Sequence, residues 1–249
     1  MSIKYILPHF GLGDAIIING LVRHFCKKYD QLNYFCSDEY FSSINYMFRD
    51  LDNLTCLNFG NLNSVVNNVG NFILSNNIEK DTIQVGYEKL YYEYTIRNPG
   101  IPFYEGFYTM FDFDSSFRFD NFFFKRNYQN EEYVFNALNP NNEQYIFIID
   151  DADHHLGPIV IDDKNISSNY KVIRYDKSLN YTDEKFLMFN YGKIIENAEE
   201  VHCIETGFLE FMVSMKFKTP IFIHSYLRNY IGEEYFKQFF SKNFCKIDR

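Results

Sequence analysis

Short apolar runs alternate with longer amphipathic stretches along most of the chain, and this alternation predicts strands followed by helices. Residues 3–7 form an apolar run that meets Pro8. The turn His9-Phe10-Gly11-Leu12-Gly13-Asp14 follows. Residues 15–29 then carry Ile16, Ile17, Gly20, Leu21, His24 and Phe25 near helical spacing, with Lys27 and Lys28 in the last turn, where cations favour the carbonyl end. The rhythm continues with strands expected over 32–36, 54–57 and 82–85, and helices over 39–48 and 62–74. Such repetition predicts βαβ units and a parallel sheet.

The middle of the chain is less regular. Helices are expected over 87–96, 103–110 and 131–138, interrupted by the break Asn98-Pro99-Gly100-Ile101-Pro102. Asn139-Pro140-Asn141-Asn142 is the strongest linker signal, and the strand–helix pattern restarts after it. Strands are expected over 145–149, 171–174, 200–204 and 220–223, and helices over 189–197, 208–215 and 230–240. The reading is an α/β protein of two Rossmann-like lobes with parallel sheets, residues 1–138 and 143–249, facing a central cleft.

Charge and composition narrow the field. With 24 Lys+Arg against 33 Asp+Glu, the formal net charge of −9 argues against a general nucleic-acid binder. The 28 Phe and 21 Tyr fit an AT-rich coding bias, so any single aromatic residue carries little information. The five cysteines are scattered and contain no C-x-x-C, which suits a reduced, cytoplasmic protein. No apolar run approaches the roughly 18 residues needed to span a bilayer, and the amino terminus lacks a signal-peptide pattern.

Two turns carry candidate chemistry. Gly11-Leu12-Gly13-Asp14 joins a strand to a helix. Gly11 and Gly13 allow close approach of a ligand, the helix start offers N–H groups to an anion, and Asp14 is placed to take a proton from a hydroxyl. The plain alternative makes Asp14 a helix N-cap. A dinucleotide fingerprint needs a third glycine where Ile16 stands, so nicotinamide binding is disfavoured even with Asp38 after the second strand. The second turn, Glu205-Thr206-Gly207, stands likewise between a strand and a helix. Thr206 and Gly207 offer a hydroxyl and N–H groups to a phosphate, and Glu205 can accept from a sugar hydroxyl. The plain alternative is a simple turn with Thr206 as N-cap.

Together these turns resemble the GT-B glycosyltransferases, most closely the heptosyltransferase-like group that includes the ADP-heptose–lipopolysaccharide heptosyltransferases. The stretch YILPHFGLGDAIIINGLVRHF over residues 5–25 follows the group's opening strand, G-x-G-D turn and apolar helix. The stretch AEEVHCIETGFLEFMVSMKFKTPIFIHS over 198–225 follows its closing strand, acid-(Ser/Thr)-Gly turn, helix and strand. The resemblance implies a hexosyl- or heptosyltransferase of glycan biosynthesis. The first lobe would take a glycan or lipid-linked sugar acceptor, and the second a nucleotide-sugar co-substrate, with no metal or other cofactor. It implies Asp14 as general base and Glu205-Thr206-Gly207 as donor turn, with Glu where Asp is usual.

A third feature, Asp150-Asp151-Ala152-Asp153-His154-His155, ends the strand over 145–149. The resemblance implies that a basic side chain of this loop reaches the donor pyrophosphate, and His154 or His155 could do that or donate to the leaving group, His154 counted as substrate-binding and His155 as catalytic. Asp151-x-Asp153 also matches the D-x-D of GT-A transferases, which holds a divalent metal; a solvated polar loop is the third possibility. Asp112-Phe113-Asp114 reads as a surface loop. Tyr175, after the strand over 171–174, is a candidate for stacking on the base. A nucleotide-sugar-binding module without catalysis remains a further alternative.

Overall fold

The computed structural model describes residues 2–86, 93, 96–98, 103–114, 116–151, 159–162, 166, 170–179, 183–224 and 244–247. The protein is α/β and divides into two compact units, residues 1–125 and 126–249, each built on a parallel, Rossmann-like sheet.

The first unit runs β1 (Ile3–Pro8), α1 (Leu12–Ile17), α2 (Asn19–Lys28), β2 (Gln31–Cys36), α3 (Phe41–Met47), β3 (Leu54–Asn58), α4 (Val65–Asn76), β4 (Thr82–Val85), α5 (Phe103–Thr109) and α6 (Ser116–Asn121). Among the described residues its sheet has the order β3-β2-β1-β4. Tyr5 of β1 pairs with Asn33 of β2 on one side and Thr82 of β4 on the other. Strand order therefore reverses between β1 and β4, the point at whose carboxyl ends ligands bind in sheets of this kind. Val65, Val69 and Ile73, spaced by four, put one face of α4 onto Leu7 and Phe35. Each such buried side chain contributes about 1.5–3 kcal/mol.

The first helix differs from its expected course. It begins at Leu12 rather than at residue 15, with Gly11 as an extended N-cap (φ −79°, ψ 146°), and breaks at Ile18. The break lets the fully buried Asn19 take part in a polar knot. Its Oδ1 accepts from Arg23 Nε at 3.1 Å and from the Phe123 N–H at 3.1 Å, while Arg23 grips Asp50 through two bonds of 2.8 and 2.9 Å. Gly20 allows α2 to approach α6, since a Cβ there would stand 3.2 Å from the Asn121 Cβ.

The second unit runs α7 (Tyr128–Leu138), β5 (Tyr145–Ile149), β6 (Lys171–Arg174), α8 (Gly192–Asn197), β7 (Glu200–Cys203), α9 (Gly207–Met215), β8 (Ile221–His224) and β9 (Phe244–Ile247). Its sheet has the order β6-β5-β7-β8-β9 among the described residues, every pairing parallel. Here the order reverses between β5 and β7. All five residues of β5 are buried, as befits a parallel strand covered on both faces. Strand β9 is an addition that the hydrophobic pattern does not announce. The helix expected over 230–240 lies outside the described residues, as does most of the one expected over 87–96.

The division between units falls before α7, a helix that the linker signal assigns to the first lobe. Arg126 ties α7 to α8: its Nε donates to Glu131 at 2.7 Å and its Nη2 to Glu196 at 2.8 Å. Asn139-Pro140-Asn141-Asn142 is a turn inside the second unit, closed by the Asn142 N–H donating to the Asn139 carbonyl at 3.0 Å, with Asn142 left-handed at φ 50°. Turn-forming residues mark a reversal of the chain, and a domain boundary is only one use of a reversal. No helix among the described residues is long and apolar enough to cross a membrane.

Candidate functional site

In the first unit, the candidate residues stand where the strand order reverses. β1 ends at Pro8, and the chain passes His9 and Phe10 into Gly11 and α1. Asp14 is the third residue of α1, in the turn where a carboxylate complements the helix dipole, and it is half-buried. It is not the N-cap; Gly11 is, and glycine has no side chain to cap the helix. A Cβ on Gly11 would stand 2.6 Å from Asp14 Oδ2, so the carboxylate curls back over the glycine. Glycine is needed at position 11 for that approach and not for its backbone angles. Gly13 is the second residue of α1. The fully buried Tyr34 lies near enough to feel the Asp14 charge. Burial first, then the neighbouring Cys36, Cys56 and Asp14, raise its phenol well above the ordinary value.

On the other side of the reversal point, β4 ends at Val85 and Gly86 takes φ +70°. A Cβ on Gly86 would stand 1.9 Å from Phe107 Cε1 and 2.7 Å from His9 Cδ2. Gly86 is thus required twice over, by its dihedral and by its space. His9 packs on Phe107 with ring centroids 5.6 Å apart. The sequence reading passes over Gly86; its signal is a glycine directly after an apolar strand.

In the second unit, β7 leads through Ile204 into Glu205-Thr206-Gly207 and α9. Glu205 is buried, with 7% of its surface exposed. Burial first, and then the Glu205 charge, raise the Cys203 thiol. Thr206 occupies the N-cap position in extended geometry (φ −128°, ψ 177°), but its hydroxyl caps nothing. That oxygen is buried and has no hydrogen-bond partner among the described residues. The simple-turn alternative therefore holds for the backbone and not for the side chain. Gly207 opens α9, where the first N–H groups of a helix lack carbonyl partners within it, and the Thr206 side chain caps none of them.

Tyr175 follows β6 and comes close to this turn. Its ring meets Phe208, in the first turn of α9, at 4.6 Å, and Tyr191 at 5.2 Å, both edge to face. Tyr191 is fully buried, and its hydroxyl has no hydrogen-bond partner among the described residues. Burial first, then Tyr175 and Asp176, raise its pKa. Aromatic side chains thus gather beside the Glu205-Thr206-Gly207 turn, although each one is unremarkable in a chain so rich in Tyr and Phe.

The acidic loop after β5 is only partly described. Asp150 accepts from the Ile161 N–H at 3.1 Å and pairs with Arg174, which also donates to the Ile161 carbonyl at 2.9 Å. Asp151 exchanges two 2.9 Å backbone bonds with Ile159 and pairs with Lys177 at 2.9 Å. Both carboxylates are thus engaged in holding the loop against β6. Asp153, His154 and His155 lie outside the described residues. No group of three His, Cys, Asp or Glu side chains suited to a metal ion occurs among the described residues. Asp114 of the other D-x-D accepts from the Ser116 N–H at 2.8 Å at the start of α6, a structural use.

Comparison of the chain with models of protein families, with characterised proteins and with solved structures finds no match. The functional reading therefore rests on the geometry. A hollow of about 550 Å³, lined by Arg126, Glu196, Ala198, Lys216, Phe217 and Thr219 among others, lies in the second unit at the amino ends of β7 and β8. That is the edge opposite the Glu205-Thr206-Gly207 turn. Its guanidinium is already engaged by Glu131 and Glu196, so this hollow surrounds a structural ion pair.

Proposed function

We propose that the protein is a glycosyltransferase of the GT-B kind, using a nucleotide sugar and a hydroxyl acceptor. One observation carries this reading. In each Rossmann-like unit, a strand beside the reversal point runs into a turn that bears an acid and opens onto a helix whose N-cap residue makes no side-chain cap bond. Helix starts of this kind bind diphosphates, because their N–H groups point outward and the dipole favours negative charge.

The second unit takes the donor. The α9 N–H groups and the Thr206 hydroxyl hold the diphosphate, Glu205 accepts from a sugar or ribose hydroxyl, and the aromatic group around Tyr175 meets the base. Asp14 of the first unit accepts the proton of the acceptor hydroxyl as its oxygen bonds to the anomeric carbon. The bond from that carbon to the diphosphate oxygen breaks, and the electron pair stays on the diphosphate. The helix start stabilises the charge as it grows. In the GT-B scheme His154 and His155 assist the same departure.

A binding panel tests this reading. Nucleoside diphosphates and nucleotide sugars, at about 100 times their dissociation constant, should add about 2.7 kcal/mol of stability and raise the melting temperature. Absence of any stabilisation across the panel overturns the proposal. Binding without sugar transfer to any acceptor favours a non-catalytic module.

A further inference from the structure

A row of three side chains in the second unit plays no part in the proposed reaction. His202 of β7 and His224 of β8 are buried, 3% and 2% exposed, and His202 Nδ1 stands 3.0 Å from His224 Nε2. His202 Nε2 stands 3.1 Å from Glu200 Oε2, two residues back on the same strand. The parallel register pairs His202 with Phe222, so these side chains share one face of the sheet, and the Phe222 ring stacks on His202 at 4.8 Å.

The proton positions follow from the partners. A carboxylate only accepts, so His202 Nε2 carries a hydrogen. In neutral His202, Nδ1 is then a lone pair, and the hydrogen between the rings belongs to His224 Nε2. One added proton can be shared, with His202 donating to both neighbours while His224 changes tautomer. A second cannot, because two N–H groups would then point at each other across 3.0 Å.

We infer that Glu200, His202 and His224 form an acid-sensitive latch between β7 and β8, which holds at neutral pH and opens when both imidazoles are protonated. Opening loosens β7, the strand that leads directly into Glu205-Thr206-Gly207. Glu200 and the imidazoles themselves act on the pair among the described residues. Burial lowers His202 below 6.5, with Glu200 opposing; burial, and then the charge of His202, lower His224 to about 4. Both folded-state values lie below the unfolded one. The stabilisation is therefore complete above pH 6.5 and is lost as pH falls towards about 4.

The test compares wild type with His224→Gln, whose amide keeps a donor at the Nε2 position but cannot titrate. Urea unfolding is followed from pH 7 to pH 4. The wild-type folding equilibrium constant should fall about 100-fold more than that of the variant, the carboxylates common to both cancelling in the comparison. Parallel pH curves overturn the latch. If the variant does not fold, ¹⁵N NMR of wild-type imidazoles decides. The latch requires Nε2–H on both rings at pH 7 and no second protonation near 6.5; ordinary titration of both rings in the folded protein overturns it. Neither readout involves a nucleotide sugar, so this inference and the transferase reading fail independently.

Discussion

Removing the Arg126 guanidinium should unfold the second unit selectively. Arg126 is bonded to both Glu131 and Glu196, and Glu131 is 1% exposed while Glu196 is 42% exposed. Helix α8 begins against this pair: a Cβ on Gly192 would stand 2.7 Å from Glu131 Oε2. Arg126→Met therefore strands a buried carboxylate, at a cost of about 3–5 kcal/mol. Glu196 can turn to solvent and adds little. Far-UV circular dichroism in urea follows the loss, since the chain has no Trp. With a slope of about 2 kcal/mol per molar, the midpoint of the second unit should drop by roughly 2 M, and that of the first unit should stay in place. Adding Glu131→Gln to Arg126→Met should recover most of the loss, because the charge rather than the pairing sets the cost. A single variant within about 1 kcal/mol of wild type, or a double variant no better than the single, refutes this reasoning.

Gly86 and the Glu205-Thr206-Gly207 turn yield sharper contrasts. Gly86→Ala puts a methyl into the Phe107 ring at a left-handed backbone position, and should destabilise the first unit by about 2–5 kcal/mol in thermal unfolding; a shift under 1 kcal/mol contradicts the contact. Thr206→Val removes a buried hydroxyl that caps nothing, so stability should hold or rise by up to about 1 kcal/mol. If the hydroxyl serves a diphosphate, calorimetry should show nucleotide affinity about tenfold weaker in the same variant. Unchanged affinity removes Thr206 from the site.

Much of this architecture is written in hydrophobic alternation. Runs such as residues 145–149 have one reading only, as a strand buried on both faces, and the glycine-bearing turns place themselves between strand and helix. What the pattern misses is long-range. Asn19 and Arg23 look like polar residues of a helix, and only the fold brings Asp50 and the Phe123 backbone to meet them. Asn139-Pro140 looks like a linker because a local breaker does not say which body the preceding helix joins, and Arg126 decides that through Glu131 and Glu196. Strand β9 escapes notice because its four residues include a lysine and a cysteine, too short and mixed to stand out. Asp14 and Glu205 were legible as candidates from their turns. The curl of Asp14 over Gly11 and the uncapped Thr206 hydroxyl were not, because both depend on side-chain directions.

Asp14 is the residue on which the proposed chemistry turns. Asp14→Asn keeps the size of the side chain and removes its ability to take a proton. Single-turnover sugar transfer, measured beside equilibrium binding of the nucleotide sugar, tests it most directly. The account predicts transfer lowered by about 10²–10⁴-fold with donor affinity unchanged. Transfer at the wild-type rate in a variant that still binds the donor contradicts it.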